Sequence, residues 1–125
     1  MILQDFNKQY KYKTDKEKFG FFEVWDIPKL QDDGFYYGDC EDYAIFLKHN
    51  IKQFENWDYF YCTLDGSGHC VLMKNNSIID CNCQTIMLFD KYSEIYNVSD
   101  FQEYSRFAIA SKFILGKILK IIKGK

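Results

Sequence analysis

Apolar positions follow a helical spacing from about residue 40 to about residue 54 and an extended one over about 58–83. Tyr43, Leu47, Ile51 and Phe54 recur at intervals of three and four, with Ala44 alongside, the signature of one helix face. Asp39 stands at the N-cap position and Asp42 three residues later, an approximate capping box with a shorter acid than glutamate. A helix is predicted from about Cys40 to about Phe54. After Asn56, DYFYCTLD (58–65) reads as a strand and GSG (66–68) as a flexible break. HCVLMK (69–74) and SIIDCNC (77–83) read as two short strands joined at Asn75-Asn76, because asparagine tolerates the positive φ of a tight hairpin turn.

The flanks are less regular. Residues 1–20 show no period. FFEVWDIPKLQDDGFYYG (21–38), interrupted by Pro28 and Asp32-Asp33-Gly34, reads as an ordered aromatic loop with a short helix after Pro28. Residues 84–100 carry no clear pattern, and a last helix is predicted from about Phe101 to about Ile122. The expected class is α+β, a helix packed on a small antiparallel sheet with a further helix at the C-terminus, in one domain over 1–125.

Composition and charge sharpen this. Hydrophobic residues make up 47% and aromatic residues 19% of 125 residues, enough for one packed core and too much for disorder. The last twenty residues hold six basic and no acidic side chains, so a net charge of −2 leaves the first 105 residues at −8. An acidic body is a poor nucleic-acid ligand. The basic tail can meet an acidic partner, a membrane surface or the body itself. No apolar run is long enough to span a bilayer, and the opening MILQDFNKQYKYK has no apolar secretion core. With five cysteines, an odd number, the expectation is reduced thiols and a cytoplasmic location.

The chemistry centres on GDCEDYA (38–44). Cys40 falls at the first turn of the predicted helix, where unsatisfied N–H groups and the helix dipole favour a thiolate. Three carboxylates beside it, Asp39, Glu41 and Asp42, oppose ionisation. A cysteine nucleophile needs a base, and the chain has two histidines. His49 lies nine residues along the same helix, on the opposite face and about 13 Å away. His69 begins a strand. A three- or five-residue loop at Asn75-Asn76 would move Asp80 and Asn82 to the far face. If Asn75-Asn76 is a two-residue turn, 74 pairs with 77, 73 with 78, 71 with 80 and 69 with 82; a four-residue loop gives the same register. His69 then shares a face with Asp80, its diagonal neighbour, and with Asn82, directly opposite. In the same register Cys70 opposes Cys81 on the other face, where packing is the default and a disulfide requires an oxidising compartment. The paired CxxC spacing of a structural zinc site is absent from the sequence.

GDCEDYA at a helix start, GHCVLM on a strand and IIDCN on the next resemble the bacterial transglutaminase-like cysteine proteinases of the papain/transglutaminase-like superfamily. The resemblance covers about residues 25–83, including a looser match over Trp25 to Pro28. It departs from the family at Cys70, where alanine is usual, and at Asp80-Cys81-Asn82, where Asp and Asn are usually adjacent. It implies a papain/transglutaminase-like core, with Cys40 as nucleophile, His69 as base and Asp80 as orienter. The implied activity is hydrolysis of a peptide or isopeptide bond in a protein or peptide substrate, with acyl transfer to another amine chemically adjacent. It also implies calcium held by Asp39, Glu41 and Asp42, since hard oxygen donors suit that ion. Gln31, in the preceding loop, is a candidate oxyanion donor beside the Cys40 N–H.

The tail admits two readings. Phe107, Ile114, Ile118 and Ile121 form a stripe widened by Phe113, Leu115, Leu119 and Ile122. It can cover the core with lysines at its rim, or it can lie on a membrane surface or dock a partner. A non-catalytic binding module docking through this helix is the rival to the hydrolase.

Overall fold

A computed structural model describes residues 1–13, 27–104 and 106–123. Trp25, and residues 21–26 of the expected aromatic loop, lie outside them. Among the described residues the chain runs α1 (Leu3–Gln9), β1 (Tyr10–Tyr12), β2 (Tyr36–Gly38), α2 (Cys40–Asn50), a 3₁₀ turn (Lys52–Phe54), β3 (Asp58–Leu64), β4 (Ser67–Lys74), β5 (Ser77–Ile79), β6 (Met87–Leu88), α3 (Phe89–Ile95), β7 (Val98–Glu103) and α4 (Arg106–Lys123). Four α-helices among the described residues thus accompany a five-stranded antiparallel sheet of order β6-β5-β4-β3-β7, and the class is α+β. A separate parallel pair joins β1 to β2.

The central helix forms where expected but ends four residues early, the chain passing into the 3₁₀ turn. Its burial is not confined to one face: every residue from Cys40 to Leu47 is buried. The cause is cover on two sides. Cys70 and Leu72 of β4 and Ile79 of β5 share one core with it. Phe6 of α1 belongs to the same core, its ring stacked on Phe46 with centroids 3.9 Å apart. Full burial of side chains of this size contributes roughly 1.5–3 kcal/mol each. A second core lies on the opposite face of the sheet, where Cys62, Leu64, Val71 and Ile78 meet Tyr92 of α3. Alternation along the strands separates the two sets.

The hairpins differ in detail from the expected ones. β4 begins at Ser67, so Ser67 and Gly68 belong to the strand, and the reversal is a tight turn at Asp65-Gly66, both at positive φ. The expected flexible GSG is therefore an ordered part of the hairpin. At Asn75-Asn76 the predicted register holds, with 74 opposite 77 and 73 opposite 78. β5 then stops at Ile79, so the expected pairs 71–80 and 69–82 do not form, nor does a Cys70–Cys81 pair. Instead Asp80 opens a turn in which its main-chain oxygen accepts from the Gln84 N–H at 2.9 Å. No helix follows Pro28, the segment leading through a turn into β2. The last helix starts five residues later than expected, because Phe101 belongs to β7 and packs its ring on Phe60.

In α4, Ile109 and Phe113 pack against the first core, while Ile114, Leu115 and Ile118 are exposed. The side chains of Phe107, Leu119, Ile121 and Ile122, also in the expected stripe, lie outside those described. Among the described residues no helix is long and apolar enough to cross a membrane.

Candidate active site

The start of α2 is built by reciprocal capping. The Asp42 N–H donates to Asp39 Oδ1 at 3.3 Å, and the Asp39 N–H donates to Asp42 Oδ2 at 3.0 Å. This satisfies two donors that a helix N-terminus otherwise leaves open. To reach back, the Asp42 side chain lies across Gly38, where an added Cβ would sit 2.2 Å from Asp42 Cβ. Tyr10 steadies the approach, its hydroxyl donating to the Gly38 carbonyl at 2.9 Å. Four residues of GDCED are thus explained by one local structure: glycine for clearance, two aspartates as mutual caps, and a cysteine placed at the first helical position.

The sulfur then meets the sheet at an open edge. β5 covers β4 only over residues 72–74. Below that, the Cys70 N–H, which points in the plane of the sheet, donates to Cys40 Sγ at 3.4 Å. Burial pushes the Cys40 thiol well above its usual range, and the Glu41 carboxylate, with an oxygen 3.5 Å from Sγ, adds to this. Cys70 and Asp39 push the same way, and the Cys70 N–H only partly offsets them. The dipole effect expected at a helix start is outweighed, because the thiol is enclosed and faces carboxylates.

His69 and Asp80 meet on the second-core side of the sheet. His69 Nε2 lies 2.6 Å from Asp80 Oδ2. Asp80 is 1% exposed, and its carboxylate is ringed by donors. Oδ1 accepts from the Asn82 N–H at 3.0 Å and the Cys83 N–H at 2.8 Å, while Oδ2 accepts from His69 and from the Tyr92 hydroxyl. Burial raises the Asp80 carboxyl, but the hydrogen bonds from His69, Tyr92 and Cys83 outweigh it, and the balance lies below the usual carboxylate range. An ionised Asp80 holds the proton of a neutral imidazole on Nε2. Nδ1 is then the nitrogen with a lone pair to offer.

A cleft of about 360 Å³ wraps the open edge of β4 and is lined by Cys40, His69, Asn82, Asp65, Tyr12 and Tyr96, among others. Nucleophile and base candidates therefore share one cavity, and the orienter candidate stands behind the base. Asn82 lines the same cleft but lies in the turn, not opposite His69 on a strand. Gln31 is exposed, its side-chain amide donating to the Lys29 carbonyl at 3.1 Å. It is not among the cleft residues. His49 is exposed on α2, with its ring against Phe113. All five cysteines are free.

The acidic cluster offers calcium few side-chain oxygens. Ligand atoms of Asp39, Cys40 and Glu41 lie within 4.8 Å of one another, a set of two carboxylates and a sulfur. Calcium takes six to eight oxygens, and Asp42, expected as the third carboxylate, is turned back into the capping box. Tyr92 escaped the sequence reading altogether. It lies twelve residues from Asp80, in a segment without a clear period, and nothing local marks its partner. The chain matches no family model, no curated protein and no solved structure.

Proposed function

We propose that the protein is a small cysteine hydrolase with a papain/transglutaminase-like core, acting on a peptide or isopeptide bond through Cys40, His69 and Asp80. The observation that carries this reading is the His69–Asp80 contact of 2.6 Å behind a cleft that Cys40 also lines. Because the thiol is raised by burial and by Glu41, it is protonated at rest, and His69 Nδ1 removes its proton as sulfur attacks the carbonyl carbon. The C–S bond forms, the carbonyl electrons move onto oxygen, and the Cys40 N–H at the helix start is placed to receive that charge. The imidazolium, steadied by Asp80, returns its proton to the leaving amine as the C–N bond breaks. Water, deprotonated by the same nitrogen, then opens the thioester; an amine in its place gives acyl transfer. Five free thiols suit the cytoplasm, where cysteines stay reduced.

The reading is tested by incubating the protein with a diverse peptide mixture under reducing conditions and sequencing the products. New termini are expected with the parent protein and none with Cys40→Ala or His69→Ala. Identical products from all three would defeat it. One observation favours the rival binding module: Ile114, Leu115 and Ile118 are exposed on α4, in a stretch that also carries Lys112, Lys117 and Lys120. Such a face suits docking on a membrane surface or partner. Vesicle or partner binding lost in a triple serine variant of these positions, together with no cleavage in the peptide assay, would mark that outcome.

A further inference from the structure

We infer that Tyr92 is a positioning residue for the His69–Asp80 pair: its phenol fixes the Asp80 carboxylate and stabilises the state in which Asp80 is ionised and His69 neutral. The assignment rests on the hydrolase reading only for the word positioning; the contact itself is independent of it.

A buried tyrosine hydroxyl needs a partner, and a main-chain carbonyl would serve. Tyr92, with no exposed surface, instead spends its hydroxyl on Asp80 Oδ2, the same oxygen that His69 Nε2 approaches. The opposite oxygen is already held by two backbone N–H groups. With His69 protonated, the pair is neutral and Asp80 has its counter-charge. With His69 neutral, Asp80 is a lone buried anion, stabilised only by hydrogen bonds. Tyr92 therefore favours the neutral-imidazole state, from which a base must act. Its placement is firm: α3 packs on the second core, and the Tyr92 ring lies against Tyr96 with centroids 4.7 Å apart.

Other titratable groups face the pair from each packed element. Cys62 of β3 stands opposite His69, and burial raises it to about 11. Cys83 of the turn is likewise raised by burial, to about 11. Burial carries Cys40 and Tyr43 of α2 and Cys81 of the turn higher still, and also raises Tyr96, which caps the C-terminal end of α3. Asp65 lines the cleft, and Asp39 and Glu41 sit beside Cys40. The thiols and phenols stay uncharged between pH 5 and 8, where an imidazole titrates.

The test is the titration of His69 by NMR in the parent and in Tyr92→Phe, with exposed His49 as internal reference, together with the pH dependence of Cys40 alkylation. Loss of the phenol should raise the His69 midpoint by about half a unit or more, and the acid limb of alkylation should move with it. Should Tyr92→Phe fail to fold, 3-fluorotyrosine at position 92, a stronger donor, should move the midpoint down. An unchanged midpoint, or one moving the opposite way, overturns the inference even if thermal stability falls, since packing alone would account for that. The hydrolase reading fails separately: an inert Cys40 with a moving His69 midpoint removes the enzyme and leaves the contact.

Discussion

At Cys40 two tendencies compete, and the structure decides between them. A helix N-terminus lowers a thiol by a modest amount. Enclosure and the Glu41 carboxylate, 3.5 Å from the sulfur, raise it by more. Glu41→Gln removes the nearest charge while keeping the side chain's shape. It should lower the thiol by about one pH unit and speed Cys40 alkylation near pH 7 about tenfold. A rate equal to the parent's, followed by mass spectrometry of the Cys40 peptide, would show that Glu41 does not govern the thiol. This residue-level competition was half legible in the sequence. GDCED announced the charges, but their distances from sulfur and its enclosure belong to the folded packing.

The start of α2 shows how an element sets the site. Gly38, Asp39 and Asp42 act together: the glycine clears the path along which Asp42 reaches the Asp39 N–H. Gly38→Ala would place a methyl 2.2 Å from Asp42 Cβ, a main-chain-anchored atom that cannot swing away. The capping box must open, and we expect a loss of about 2–4 kcal/mol in denaturant titration. A loss below about 0.5 kcal/mol would mean that the box is not under this constraint. The capping box was readable because its partners are three residues apart. The Asn75-Asn76 register was readable for the same reason, and with it the face shared by His69 and Asp80. What followed Ile79 was not: strand period cannot tell where pairing stops, and a turn organised by the Asp80 carboxylate leaves little trace in local pattern. α3 and β7 were missed on the same ground. Their apolar residues answer to a core on the far side of the sheet, which sequence spacing alone does not locate.

For the whole molecule, four buried or half-buried thiols, Cys40, Cys62, Cys81 and Cys83, make stability depend on pH on the alkaline side. An unfolded cysteine titrates near 8.5. Burial raises Cys62 and Cys83 to about 11, and Cys40 and Cys81 beyond that. The folded state therefore keeps protons that the unfolded chain gives up. Stability should be flat below about pH 8.5 and fall above it, by up to about 1.4 kcal/mol per pH unit for each thiol, until the folded thiols themselves ionise. Thermal unfolding between pH 7 and 10.5 checks this, and a constant midpoint to pH 10 would contradict it. The same enclosure that raises the thiols makes a base indispensable to the proposed chemistry: without His69, a protonated Cys40 beside carboxylates has no route to the thiolate. The most direct measurement is the rate at which limiting iodoacetamide labels each of the five cysteines in the native protein and in His69→Ala. Cys40 should be labelled fastest in the parent and slowed at least tenfold in the variant, with the other four unchanged. Equal labelling of all five, or a Cys40 rate indifferent to His69, would contradict the account.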